Sequence, residues 1–398
     1  MNYSINKFFH FKGYFVQKIE RNDLQTIIRL LPRRKTAHCP KCGKRSNALY
    51  ENGVLRKVKH SRYEGKPVSV LIPKRRFFCK CCNIPFSEQI DWISFKERTT
   101  NSFSTETISV LRNSSFSAIQ EMYGTSYQFL SKNLKGLDMS VPWPEGELIL
   151  GFDEHSYAKR HMMVTITELK TKTLLAILPH YSKEAVIEYL SSRTEEERGR
   201  VRELCFDMKF KQRKTVESFF PEASTVVDKF HVLSYLTSLI DSDRKIIAPK
   251  ITSFENIRQI MRRPEGRLNG KEKAILDSMF AEYPDLKERW LIYQKLSSFY
   301  RLRSKEEARI CLQEIKRDMS ALERSYTRNF LGTLERLEEE ILNYFDNRTT
   351  NAFTEGVHTK IKMIKRTSFG FRNIEIYIKK VMLAFIPITI ILDQFLPH

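Results

Sequence analysis

Two cysteine pairs place the tightest local constraint on this chain. Cys39-Pro-Lys-Cys42 and Cys79-Lys-Cys81-Cys82 each set two thiols at C-x2-C spacing, and Gly43 follows the first pair, where a tight turn favours a residue without a Cβ. Four thiolates in two such knuckles suit a closed, tetrahedral Zn²⁺ site formed by Cys39, Cys42, Cys79 and Cys82. The 36 residues between the pairs contain VLRKVKH and VSVLIPKRRFFC, two strand-like runs that can fill the gap as a β-hairpin. Cys81 is a supernumerary thiol, and Cys205 and Cys311 stand alone as expected core residues. Five of the seven cysteines lie between positions 39 and 82, which is not how a secreted disulfide framework spreads them. A reducing, cytoplasmic setting is expected.

Charge narrows the choice of partner. The first hundred residues carry 22 basic and 7 acidic side chains, so +15 of the net +21 sits in the first quarter of the 398-residue chain. A surplus of this kind suits a polyanion, with nucleic acid ahead of an anionic membrane. Residues 1–36 read as a basic N-terminal segment and residues 37–95 as the zinc-binding domain. Arg75 and Arg76, beside the second knuckle, are candidate phosphate contacts. No apolar core followed by a small-residue cleavage site marks a secretory signal. The longest apolar run, VMLAFIPITIIL at 381–392, is interrupted by Pro387 and is too short to cross a bilayer, so a buried terminal element is expected and no membrane partner.

Residues 99–140 turn helical. In SFSAIQEMYGTSYQFLSKNL a helix, a turn at Gly124 and a second helix starting near Ser126 give the layout of a helix-turn-helix. Tyr127, Gln128, Ser131 and Lys132 are the candidate residues for a DNA major groove. After a Pro-rich linker at 142–144, three strands, a helix, a strand, a helix and a strand follow over residues 147–235, predicting a mixed α/β layer. Residues 236–347 are charged and apolar at helical spacing, a helical insertion of roughly a hundred residues with breaks at Pro264–Gly270 and Pro284. Trp290 in this insertion reads as a core residue ahead of a base-stacking one. Residues 348–398 supply a closing helix and the apolar tail.

Carboxylates carry the chemistry. Asp153 sits inside the apolar strand ILGFDEHSY and Asp207 ends LCFDM. A carboxylate in such a strand is costly unless a partner or metal offsets it. Glu355 lies on a basic helix with Lys362, Lys365 and Arg366, three further candidate DNA contacts. Two Asp and a Glu can hold Mg²⁺ or Mn²⁺ through hard oxygen ligands, and such ions serve in-line attack on a phosphodiester. His155 and His161 flank the first acid and read as surface or supporting residues.

The order of knuckles, helix-turn-helix, Asp-bearing strands, helical insertion and a final NxxxEGxxxxIKxxKRxxxGFRN block resembles the DDE transposases of bacterial insertion sequences, and among them the ISL-three family. The resemblance runs from about residue 37 to the end. Its most specific segments are GFDEHSYAKRH, CFDMKFKQRKTVESFFPEASTVVDKFHV and NAFTEGVHTKIKMIKRTSFGFRN. It implies an RNase H-like fold with a helical insertion, catalytic acids Asp153, Asp207 and Glu355, and a D-x-x-H pair, Asp228 and His231, near the site. Position 358 is His where the resemblance implies Asn. Asp228 is the rival to Asp207 as second acid.

The resemblance further implies an enzyme that binds double-stranded DNA at terminal inverted repeats and at a target. It would act as a homo-oligomer holding two ends, nucleoid-associated when bound. Two rivals remain open from sequence: a zinc-finger and helix-turn-helix regulator without catalytic activity, and a metal-dependent nuclease that cuts without joining.

Overall fold

The computed structural model describes residues 11–94, 97–247, 256–322 and 325–395. The start of the basic N-terminal segment (1–10), the end of the apolar tail (396–398), and residues 95–96, 248–255 and 323–324 lie outside the described residues. Two units emerge: Met1–Met139 with Met363–His398, and Ser140–Lys362.

In the first unit, β1 (Tyr14–Arg21) and β2 (Thr26–Pro32) pair antiparallel, β3 (Ala37–His38) pairs with β4 (Arg45–Ser46), and β5 (Leu49–Tyr63) forms a long hairpin with β6 (Lys66–Cys79). Glu64 and Gly65, both at positive φ, make its turn. β7 (Ile84–Ser87) adds to β6, and β2 runs parallel to β6, giving one five-stranded sheet. Val16, Ile28, Leu30, Val58, Val70 and Ile72 bury one face of it. The expected hairpin is present. Within the basic N-terminal segment, residues 14–32 supply two strands whose apolar positions pack into the same core.

Three helices follow, Asn101–Leu111, Phe116–Tyr123 and Tyr127–Gly136, capped by the side chains of Thr100, Ser115 and Ser126. Gly124 sits left-handed at φ 56° between the last two, as their tight turn requires. Ile374–Phe385 and Ile388–Asp393 divide the apolar tail into two helices at Pro387. The first of them packs on Tyr127–Gly136, and Lys380, buried, donates to the Arg112 carbonyl at 3.1 Å. Residues 363–398, expected to complete the α/β core, thus fold with the first unit.

The second unit contains β8 (Leu148–Ala158), β9 (His161–Glu168), β10 (Thr173–Leu178), β11 (Val201–Phe206) and β12 (Ser224–Val227) in the order β10-β9-β8-β11-β12. The first three form an antiparallel meander, while β11 runs parallel to both β8 and β12. This mixed sheet is the RNase H-like layer. Phe152 and Phe206 stack at 5.3 Å on one face, with Phe210 at 5.4 Å from Phe206. The strand expected over 224–232 is only four residues long, and the helix Lys229–Ile247 begins directly after Asp228. Helices from there to Tyr344–Asn347 build the insertion around its own core. Pro284 is the first residue of Pro284–Phe299, where its missing N–H costs nothing. Trp290 is buried in that core and donates to the Met261 carbonyl at 3.0 Å, so base stacking does not suit it. No helix among the described residues is long and apolar enough to cross a membrane.

Candidate functional site

Strand register brings the acids together. Phe206 of β11 pairs with Phe152 of β8 on one side and with Val227 of β12 on the other. The next positions, Asp153 in the middle of β8 and Asp207 and Asp228 just past the ends of β11 and β12, therefore stand level on three parallel neighbours, and strand alternation turns them away from the phenylalanine face. Asp153 and Asp228 are buried, whereas Asp207 keeps 18% of its side chain exposed. Glu355 comes from the helix Ala352–Thr367 and is about half exposed.

His231, in the first turn of Lys229–Ile247, stands among these carboxylates. Its Nδ1 lies 3.3 Å from Asp207 Oδ2, and its Nε2 lies 3.4 Å from Glu355 Oε1 and 3.8 Å from Asp228 Oδ2. Burial alone would lower His231, but Glu355, Asp207, Asp153 and Asp228 outweigh it and raise the imidazole to about 9. The imidazolium holds Glu355 below the usual carboxylate range. Burial pushes Asp153 up to about 7, against the Glu154 amide, which donates to it at 2.7 Å.

The acid cluster has the donors that a hard divalent cation needs. Asp153, His231 and Glu355 each offer a ligand atom, all within 4.8 Å of one another. Asp228 Oδ2 is buried with no hydrogen-bond donor among the described residues. A cluster of oxygen donors with one buried, under-satisfied carboxylate suits Mg²⁺ or Mn²⁺ better than a softer ion.

A second shell of residues, which sequence reasoning missed, holds the acids in place. Asn351 donates its backbone N–H to Asp228 Oδ1 at 3.2 Å and its Nδ2 to the Phe152 carbonyl at 3.4 Å, and it accepts from Thr354 Oγ1 at 2.5 Å. It ties two strand ends to the helix bearing Glu355. Room for it comes from Gly151: a Cβ there would lie 2.5 Å from Asn351 Oδ1 and 2.7 Å from Thr167 Oγ1. A glycine inside an apolar strand, two residues before an Asp, was the signal that could have revealed this close approach. His358 sits 3.5 Å from Asp153 Oδ2 and 3.0 Å from Thr165 Oγ1, and burial depresses it to about 4, so it is neutral at physiological pH. Gly151→Ala is expected to cost activity and about 1–3 kcal/mol of stability, because overpacking forces Asn351 away. A melting curve checks the stability and a turnover assay the activity.

A pH dependence follows from the two raised groups. Asp153 is raised from 3.8 to about 7 and His231 from 6.5 to about 9, so both favour the protonated folded state. Their contribution is fully present below the lower, unfolded values and is lost as pH rises through the folded ones. Above about pH 6.5, where the depressed His358 is neutral in both folded and unfolded chains, metal-free protein should lose stability up to about pH 9, and the melting-temperature gain on adding Mg²⁺ should grow over the same window. Thermal scans with and without Mg²⁺ across that range check both trends.

Cys39, Cys42, Cys79 and Cys82 form the second cluster, their sulfurs all within 4.8 Å of one another. Gly43, at φ 70°, returns its amide to the Cys39 carbonyl at 2.9 Å and closes the first knuckle. Cys79 ends β6, and Asn83, at positive φ, closes the second. Burial raises the Cys39 thiol, yet the amides of Cys42 and Lys41 and the neighbouring thiols bring it down to about 7, toward the thiolate a metal needs. Cys81 is exposed and outside the cluster.

The candidate DNA contacts divide. Arg75 faces inward, 7% exposed, with Nε donating to Glu88 at 2.8 Å, Nη1 to the Arg34 carbonyl at 2.7 Å and its plane over Phe77. Phosphate contact does not fit it, because its donors already satisfy a buried carboxylate. Arg75→Gln should lower the melting temperature, with a cost of about 3–5 kcal/mol for a broken buried pair, and leave the salt dependence of DNA binding unchanged. Melting and binding titrations separate the two. Arg76 is half exposed between Glu51 and the Tyr50 ring. Lys132 pairs with Glu97, Ser131 donates to the Gln128 carbonyl at 3.1 Å, and the Tyr127 ring packs on Phe116. Gln128, Lys362 and Arg366 are exposed, and Lys365 is half-buried.

Comparison with known proteins agrees with this arrangement. Residues 150–381 match a family model described as Transposase, of the ISL3 DDE type. Residues 35–82 match one described as the zinc-finger of transposase IS204/IS1001/IS1096/IS1165. Over 389 residues the chain is 23% identical to the "Transposase for insertion sequence element IS1001" of Bordetella parapertussis, covering 94% of this chain and 96% of that protein.

Proposed function

The chain belongs to the ISL3 family of transposases, and we propose that it cuts and joins DNA with Asp153, Asp207 and Glu355 as its catalytic acids. It is an insertion-sequence transposase, an enzyme acting on DNA, with a zinc-binding module at residues 35–82. The observation that carries the site reading is the convergence of carboxylates from three separate segments on one imidazole, His231.

Asp207 is the preferred second acid. It is partly open to solvent, so a substrate-linked ion can reach it, whereas Asp228 is fully buried and accepts the Asn351 amide. Asp228 is thereby suited to positioning His231 and Asn351. His231 supplies a positive charge that offsets the carboxylates in the metal-free chain. His358, neutral, orients Asp153 from the opposite side. A divalent ion, Mg²⁺ in this reading, would lower the pKa of the attacking water or 3′-hydroxyl and stabilise the leaving oxygen.

The substrate in this reading is double-stranded DNA at the element's terminal inverted repeats and at a target site, engaged by a homo-oligomer that holds two ends. Tyr127, Gln128, Ser131 and Lys132 remain the candidate major-groove residues, with Arg76, Lys362, Lys365 and Arg366 as backbone contacts. Strand cleavage and joining on labelled DNA bearing the element's own ends, with Mg²⁺ or Mn²⁺, tests the reading. Cut and joined products are expected. Binding without either would favour a regulator, and cutting without joining a nuclease.

A further inference from the structure

A cavity of about 920 Å³ lies in the first unit, bounded by residues 54–57 of β5, residues 72–75 across β6, and the segment after β7. Arg56, Lys57, Lys74 and Arg98 all line it. Among the described residues none of the four has a side-chain ion pair or hydrogen bond, while the acids beside them are engaged. Glu88 is held by Arg75 and Tyr14, Asp91 by Lys12, and Glu97 by Lys132. Burial, and then the charge of Arg98, hold Arg56 below the ordinary guanidinium range, and the charge of Glu97 offsets them only in part. Among the described residues its lining includes Ile72, Ile93 and Pro73 but no aromatic side chain.

We infer that this cleft grips the phosphodiester backbone of duplex DNA, with Arg56, Lys57, Lys74 and Arg98 each meeting a phosphate. The inference rests on the transposase reading and deepens it by giving the first unit a backbone-binding site distinct from the knuckle arginine, Arg75. Concentrated cations without carboxylate partners are what phosphate contacts require. Such contacts position the protein on DNA without reading its sequence.

The test measures affinity of the zinc-loaded full chain for a labelled duplex of mixed sequence over a range of salt concentrations. Arg56→Gln, Lys57→Gln, Lys74→Gln, Arg98→Gln and the fourfold variant are compared with wild type. Lys287→Gln, an exposed lysine of the helical insertion, is the control. Each cleft substitution is expected to reduce the slope of log affinity against log salt by about 0.9, and the fourfold variant by about 3–4. The control should leave it unchanged, and zinc content and melting temperature should match wild type throughout. Wild-type binding with unaltered affinity and slope in the fourfold variant would overturn the inference while leaving the transposase reading intact. Wild type that neither binds the duplex nor cuts the element's ends would overturn both.

Discussion

Asp153→Asn, Asp207→Asn and Glu355→Gln are each expected to reduce strand cleavage and joining by about a thousandfold or more, equivalent to about 4 kcal/mol of barrier. Duplex binding should stay close to wild type, because the substitutions change charge without changing shape. The size of the effect follows from the site: Asp153 and Glu355 offer oxygen donors to one small volume and Asp207 lies against His231 beside them, and an amide cannot replace the anion. Asp228→Asn tests the assignment. It should lower the melting temperature, since Asp228 is fully buried and accepts the Asn351 amide, and it should retain measurable joining. An inactive but stable Asp228→Asn beside an active Asp207→Asn would make Asp228 the second acid.

Loss of zinc is the second large effect. Cys39→Ser, or chelation of the wild type, should unfold the knuckles and abolish duplex binding. Structural zinc contributes about 10–16 kcal/mol to the folding of small finger peptides, far more than one buried side chain. Cys39 and Cys79 are both buried, so their thiolates have no water to fall back on once the ion leaves. Cys81→Ser should retain one zinc per chain and wild-type binding, since that thiol is exposed and outside the cluster. Zinc content by mass spectrometry, with circular dichroism for folding, reads both results.

The central sheet was largely legible in the sequence because its strands are short, apolar and bounded by turn residues. Asp153 and Asp207 stood out as carboxylates in or beside apolar strands, and Glu355 as an acid on a basic helix. Four features were hidden, each for a physical reason. Residues 14–32 fell within what read as a basic N-terminal segment, yet their buried positions, Tyr14 and Val16 in β1 and Thr26, Ile28 and Leu30 in β2, make them part of the sheet. Arg75 and Arg76 look alike in sequence, but strand alternation buries the first against Glu88 and leaves the second half exposed. His231 was read onto a strand, whereas its place on the following helix is what lets it face three carboxylates from different segments. Asn351 and Gly151 are 200 positions apart, and only the folded chain reveals that one makes room for the other.

Manganese binding measured by electron paramagnetic resonance on the zinc-loaded full chain, near pH 8, is the most direct test of the claim that these carboxylates hold the reactive ion. Wild type should bind Mn²⁺, Asp153→Asn and Glu355→Gln should lose it, and Asp277→Asn, an exposed acid of the insertion, should bind as wild type does. Undiminished Mn²⁺ binding in Asp153→Asn and Glu355→Gln would contradict the account.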